Sequence, residues 1–371
     1  YHSLHPGDVT SSVTSNFNDI IFQKRYSLEN AFFISDSYKA SPKLSFTYGA
    51  RVSAFSILGS GDFYDLNSAG KIIDTIHVPN GKIFKTYFNI EPRISGRLLL
   101  SKLASIKASY ARNAQYLHLI SNSTSARPTD QWVASTNNIK PETSDQFSIG
   151  YYKNGLNNAY EFSAETYYKT LQNQIDYRDG SDINNASKIE TQLLYGKGRA
   201  YGIELLIRKK SGKINGWISY TLAKSEKKIN GINNNTWYNA RQDRTHDIAI
   251  VVAYQLSKKW TISSNWVYYT GDAVSFPEGK YLVSNQVYYY YTKRNGYRMP
   301  PYHRLDLGAT KSFKSKGRFS SELTLGIYNA YGRENAYSIT FQENKDDLSK
   351  TEAVQTALFK FIPSISYNFK F

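Results

Sequence analysis

The residues best equipped for chemistry in this 371-residue chain are concentrated in one heptad, Arg241-Gln242-Asp243-Arg244-Thr245-His246-Asp247. Two guanidinium groups and two carboxylates so close together can bind a charged ligand, contact material filling a lumen, or close on one another as salt bridges. The favoured reading is a salt-bridged strand end, because the cluster runs directly into the apolar alternation of Ile248, Ile250 and Val252. A second cluster, Arg294-Asn295-Gly296-Tyr297-Arg298, precedes Pro300-Pro301-Tyr302-His303-Arg304. Aromatic residues between the alternating segments, Trp132, Trp237, Tyr238 and the run Tyr288 to Tyr291, could stack on sugars or aromatic ligands, although a girdle or loop-packing role is favoured. The candidates to face a ligand, or material filling a lumen, are therefore Trp132, Trp237, Tyr238, Arg241, Asp243, Arg244, Asp247 and Arg298.

None of this points to catalysis. The chain has no cysteine, which removes thiolate metal sites and thiol nucleophiles. Phosphate-cradling, HExxH and GxSxG signatures do not occur. The six histidines are scattered; only His2 and His5 are closely spaced, and they sit at the start of the chain. No cofactor is expected, and the chain is read as a non-enzyme.

The elements that must position these residues are strands. Leu44, Phe46, Tyr48, Ala50 and Val52 alternate with Ser45, Thr47, Gly49, Arg51 and Ser53. Tyr160, Phe162, Ala164, Thr166 and Tyr168 alternate with Glu161, Ser163, Glu165, Tyr167 and Lys169. The pattern recurs at Tyr201 to Ile207, Ile214 to Leu222, Ile248 to Leu256, Leu305 to Leu307 and Leu323 to Ile327. It closes the chain as Phe359, Phe361, Ile365, Tyr367, Phe369 and Phe371. Because strand side chains point alternately to opposite faces, each segment offers one face to an apolar medium and one to water. Pro300 and Pro301 cannot donate to a ladder, so the strand after them is predicted to start near Tyr302. Trp260 shares parity with Ile262 and Trp266 and is predicted to face outward.

Connections alternate as well. Short turns fall near 41–43, 101–104, 155–158, 211–213, 258–259 and 314–317. Long loops rich in Asn, Gly and Pro fall at 58–83, 121–142, 179–187, 230–240, 274–298 and 342–351. Short turns at one end and long loops at the other are the layout of a transmembrane barrel with short periplasmic turns and long extracellular loops.

Composition agrees. A mean hydropathy of -0.52 leaves no room for membrane-spanning helices, whereas barrel strands of about 10 residues are only half apolar. The 32 tyrosines suit aromatic girdles. Net charge is +16, but its clusters, 39–43, 208–213, 258–259 and 311–318, sit in turns; they are read as solvated or facing anionic lipid, not nucleic acid. Tyr1 opens on polar sequence with no apolar leader, so the chain is read as mature or a fragment.

The segments Tyr110 to Tyr116, Gly196 to Glu204, Gly216 to Thr221, Arg241 to Asp247 and Tyr302 to Asp306, with the terminal Phe371, together resemble TonB-dependent outer-membrane receptors. The likeness is to the Bacteroidota type with a carboxypeptidase-like regulatory domain. The resemblance implies an all-β antiparallel barrel in the outer membrane of a Gram-negative bacterium. About 14 strands of an expected 22 or so would lie in this chain, as a single domain over 1–371, with the plug domain absent from it. Implied partners are outer-membrane lipid, a plug with early strands from the same protein or another chain, TonB through that part, and a surface lipoprotein. The implied function is active uptake of a siderophore, oligosaccharide or peptide. The alternative is a structural or assembly subunit of a larger outer-membrane complex that has lost transport.

Overall fold

The computed structural model describes residues 1–5, 23–59, 61–120, 131–181, 188–284, 286–313, 317–347 and 349–371. Fourteen strands form one continuous path: β1 (His2–Leu4), β2 (Arg25–Lys39), β3 (Leu44–Leu58), β4 (Ile83–Leu99), β5 (Ala104–Gln115), β6 (Glu142–Gly155), β7 (Tyr160–Tyr177), β8 (Leu193–Lys209), β9 (Ile214–Ile229), β10 (His246–Gln255), β11 (Trp260–Tyr269), β12 (Tyr302–Ser312), β13 (Ser320–Tyr328) and β14 (Ile362–Lys370). Each pairs antiparallel with its neighbours on the path, and the short Tyr238–Asn239 strand adds to β9. The about 14 strands expected from sequence are thus present, and β12 starts at Tyr302, immediately after the two prolines.

The register bears out the alternation. Ile207, Leu205 and Ile203 of β8 stand directly opposite Ile218, Tyr220 and Leu222 of β9. Ile218 in turn stands opposite Ile250 of β10, which meets Trp266 of β11. Trp266 faces Leu305 of β12, and at the far edge Leu325 faces Ile365. Directly opposed residues share a face, so these side chains form one apolar belt, and much of it is solvent-accessible: Ile207 is 50% exposed and Ile365 71%. The opposite face carries Glu165 beside Glu204, Thr221 beside Asp247, and Asn265 beside Asp306.

The short turns lie where expected, at one end of the ladder. The turn from Gly155 to β7 holds Leu156, Asn157 and Asn158 at φ of 47°, 54° and 66°. Two of these are asparagines, which tolerate this left-handed region. Parts of the expected 121–142, 179–187 and 314–317 connections lie outside the described residues.

The long connections differ from the irregular loops expected. Four of them fold into hairpins: Gly61–Leu66 with Ile72–Val78, Leu117–Ile120 with Gln131–Ala134, Gly279–Val283 with Gln286–Tyr290, and Ser338–Glu343 with Thr351–Thr356. The tyrosine run accordingly lies mostly in a strand, since tyrosine suits a pleated surface. Here, at the loop end, lies the buried apolar material. Phe55, Ile57, Phe63, Val78, Tyr116 and Ala134 form one cluster, and Ile120, Ile139, Ile175 and Leu193 form another. The wall carries little core of its own.

Candidate functional site

Above the ladder, at the loop end, lies a cavity of about 690 Å³. The tops of β7 and β9 contribute Gln174 and Lys227, the Leu117–Ile120 hairpin contributes His118, β6 contributes Glu142, and the segments before β10 and β12 contribute Arg241, Arg244 and Arg294.

A bulge aims the first of these. The β7–β8 register shifts between Gln172 and Gln174, with Asn173 at φ 56°. An extra residue in one strand re-aims the next side chain. Gln174 thereby reaches Glu142, donating Nε2 to Oε2 at 2.7 Å, while Asn173 Nδ2 donates to the Pro141 carbonyl at 2.8 Å.

Arg294 ties the roof together. It is 8% exposed, yet its guanidinium meets Asp176 Oδ1 at 2.7 Å and Asp179 Oδ1 at 2.5 Å. It also donates to the Tyr177 carbonyl at 3.2 Å and stacks 4.0 Å from the Tyr177 ring centroid. Burial works hardest against its charge, but Asp176, Tyr177 and Asp179 together outweigh burial and hold its pKa above the ordinary value. Tyr238 donates its hydroxyl to the other oxygen of Asp176 at 2.6 Å. Burial, then the Asp176 charge, pushes that phenol far up, so it remains a donor.

Below this lies a second lock. Asp243, 1% exposed, pairs with Arg298 and accepts the Ser225 amide at 2.5 Å. Arg298 also donates to the Asp243 carbonyl at 2.8 Å and the Gly271 carbonyl at 3.1 Å. A Cβ on Gly271 would lie 1.9 Å from the Met299 carbonyl, so only glycine lets these segments close. Arg244 donates Nε to Asp272 at 2.8 Å and lies 3.8 Å from the Tyr269 ring centroid.

Of the residues singled out from sequence, Arg241 and Arg244 line the cavity, and Tyr238, Asp243 and Arg298 build the frame around it. Asp247 lies on the polar face of β10, opposite Thr221 and Tyr269. Trp132 sits in the Gln131–Ala134 strand, 52% exposed, and Trp237 lies 4.3 Å under the Arg199 guanidinium; these two are apart from the cavity lining. The sequence candidates omit Asp176, His118, Glu142 and Lys227, and take in Arg294 only as part of its cluster. The signal for Arg294 was its place before an Asn-Gly turn, but its partners are far off in the chain.

His118 accepts or donates at Nε2 to Ser135 Oγ, 3.0 Å away, and its Nδ1 lies 3.5 Å from Glu142 Oε1. Serine, histidine and carboxylate in a row suggest a nucleophile, but Ser135 is fully buried. A hydroxyl with no access to solvent cannot attack a substrate, so the row is structural. Lys227 donates to the Ile175 carbonyl at 3.1 Å and pairs with no carboxylate among the described residues. The cavity can therefore present cationic and amide groups to a ligand from rigid supports.

Solved structures share this wall. The siderophore receptor PiuA from Acinetobacter baumannii superposes with a TM-score of 0.60 at 17% identity, over 93% of this chain and 44% of that one. The ferripyoverdine receptor of the outer membrane of Pseudomonas aeruginosa gives 0.58 at 11% identity, over 96% and 40%. The ferric-catecholate import receptor Fiu from E. coli K12, in its closed form, gives 0.56 at 14%, over 93% and 45%. The chain thus spans less than half the length of these structures, and at such identities the likeness is one of fold. Among curated proteins there is no match. The family profile described as "TonB dependent receptor-like, beta-barrel" matches residues 1–330. With that match over most of a sequential antiparallel wall, the chain belongs to the TonB-dependent receptor β-barrel family.

Proposed function

We propose that this chain forms the wall and outer mouth of a TonB-dependent transporter in the outer membrane of a Gram-negative bacterium, importing a siderophore, oligosaccharide or peptide. The observation that carries it is the mouth cavity, set above a membrane-type wall and lined by Lys227, Arg241 and Gln174 on braced supports. The long-loop end is then extracellular, and a plug with the remaining strands, from the same protein or another chain, fills and closes the barrel and connects to TonB. The Bacteroidota type with a carboxypeptidase-like regulatory domain, and with it a surface lipoprotein partner, is what the resemblance of the ordered segments as a whole implies, from Tyr110 to Tyr116 through to Phe371. Trp132 and Asp247 are read as contacts to ligand or plug, and Trp237 as an interface aromatic.

The test is growth of a deletion strain on limiting ferric siderophores, oligosaccharides or peptides as the sole source. The full-length gene should restore growth on one class, and Lys227→Gln with Arg241→Gln should raise the concentration needed about tenfold or more. Undiminished growth of the deletion strain on every class, with the protein recovered in a stoichiometric outer-membrane complex, would replace transport by the structural-subunit reading.

A further inference from the structure

Most charges in the mouth hold one another: Arg294 with Asp176 and Asp179, and Arg244 with Asp272. Of the carboxylates lining the cavity, Glu142 alone stands outside those pairs, and Lys227 faces it from the other side of β7, where Arg241 also lines the wall. Glu142 opens β6, whereas Lys227 lies near the top of β9, three places further along the sheet. At about 4.8 Å per strand their backbones lie roughly 14 Å apart. The cavity is therefore polarised, acceptor on one side and cation on the other.

Both ends keep unused bonding capacity. Glu142 Oε2 accepts the Gln174 amide at 2.7 Å, while Oε1 accepts no hydrogen bond among the described residues. His118, 2% exposed, brings Nδ1 to 3.5 Å from Oε1, and that nitrogen too has no hydrogen-bond partner among the described residues. A buried polar atom without a partner costs free energy that a ligand group can recover. In the tautomer whose Nε2 donates to Ser135 Oγ, Nδ1 is an acceptor. The group that completes two neighbouring acceptors is a multiple donor, and an ammonium is one. Across the cavity, Lys227 Nζ spends one of its three donors on the Ile175 carbonyl and keeps two for an anionic ligand group.

This arrangement separates the ligand classes. A carboxylate beside an imidazole acceptor repels a ligand that is anionic throughout, such as an anionic ferric chelate. Sugar rings stack on open aromatic faces, but Tyr177 is the one phenolic, indole or phenyl ring in the lining, and the Arg294 guanidinium covers it at 4.0 Å. Between the charged ends the lining is apolar, with Leu119, Ile120, Leu171 and Val274, and Leu119 is 49% exposed. An ammonium at one end, a carboxylate at the other and apolar side chains between them are the groups of a short peptide with free ends. Three residues at about 3.3–3.6 Å each span roughly 10 Å, which fits between side chains reaching in from β6 and β9.

We propose that the cavity takes a short apolar peptide by both ends, its ammonium on Glu142 and His118 and its carboxylate on Lys227. The inference rests on the uptake reading above and selects among its ligand classes. It is tested by native mass spectrometry of the full-length receptor in mild detergent, with a pool of tripeptides built from alanine, valine, leucine and phenylalanine. The comparison probes are the same pool N-acetylated, the same pool C-amidated, a ferric tris-catecholate and maltotriose. Free peptides should bind, and blocking either end should weaken binding about tenfold or more, the loss of one charge-assisted contact. Glu142→Gln should abolish the penalty for acetylation and keep that for amidation, and Lys227→Gln should do the reverse. Equal binding of free and blocked peptides by the unsubstituted protein overturns the inference, and that measurement needs no variant to fold. An acetylation penalty undiminished in Glu142→Gln, with heat-modifiable migration intact, overturns it as well. So does absence of peptide binding: binding of the ferric complex or maltotriose, or growth restored on another nutrient, would then leave uptake standing, whereas a deletion strain growing undiminished on every class removes both.

Discussion

The wall and the mouth are built from the same kind of strand but by opposite rules of solvent. On the wall, Ile203, Ile207, Ile218 and Ile365 are exposed, and what holds neighbours together is the backbone ladder. In hydrocarbon every unpaired backbone group would cost several kcal/mol, so the ladder is what the medium enforces, while apolar side chains need no burial. In the mouth, side chains do the work. Phe55, Phe63 and Ile139 are buried as in a water-soluble protein, and the buried charges around the cavity are paired: Arg294 with Asp176, Asp243 with Arg298. Burying such charges is tolerable only when they are paired and hydrogen-bonded. Two solvents thus act on one chain, and the change can be followed along one strand, from Ile207 to Lys197.

If the regions are held separately, they should break separately. The largest effect is expected from Arg294→Met, which strands Asp176 in a buried site. Removing one partner of a buried pair costs about 3–5 kcal/mol. Amide hydrogen exchange should rise across 230–245 and 270–301, while the β8 and β9 ladder stays protected and migration stays heat-modifiable. Loss of protection in the wall would mean that mouth and wall form one cooperative unit.

Next in size is a charge on the lipid face. Ile250→Arg should destabilise the inserted barrel by about 2–4 kcal/mol if it lies near the midplane, whereas Ala249→Ser, on the polar face opposite Ser219 and Val267, should change it by less than about 1 kcal/mol. Urea titration of the protein folded into vesicles separates the two, and equal tolerance would refute the outward assignment. Smaller again is Tyr238→Phe, which removes one hydrogen bond to Asp176 at the cost of about 1–2 kcal/mol, confined to the mouth and read by the same exchange measurement.

How far these regions were legible in sequence follows from their solvents. The wall writes itself locally: Ile248, Ile250 and Val252 alternate because each sits one pleat further along the same face, and Pro300-Pro301 marks where β12 begins. The mouth is written in distant pairs. Asp243 and Arg244 stood out in the heptad, but their partners Arg298 and Asp272 come from another segment, and Arg294 meets Asp176 across 118 positions. The loop hairpins were hidden because strands such as Gly61–Leu66 are too short, and too mixed in polarity, to show a period. The bulge at Asn173, which aims Gln174 at Glu142, leaves no pattern beyond an asparagine.

The smallest effect tests whether even the rim of the mouth obeys the rules of water. Lys280 of one loop hairpin pairs with Glu343 of another, and Tyr289 donates to the same carboxylate at 2.9 Å. The Lys280 hydrogen bond, followed by that of Tyr289, holds the Glu343 carboxyl below the ordinary glutamate range. A carboxylate with a lowered pKa contributes stability that is fully present above its unfolded value and is lost as pH falls through the folded one. The Gly279–Val283 and Ser338–Glu343 hairpins should therefore stay docked at neutral pH and separate only as pH drops below the ordinary glutamate range. Because the carboxyl is partly exposed, salt should weaken the contact as well. Limited proteolysis in the 279–290 and 338–356 hairpins, followed from pH 7 to pH 3 with an acid-tolerant protease, reads the separation. Glu343→Gln should show cleavage already at neutral pH. Cleavage in the variant that still rises with acid to the same extent would assign the hold to other groups, and would extend the buried, paired logic of the mouth out to its rim.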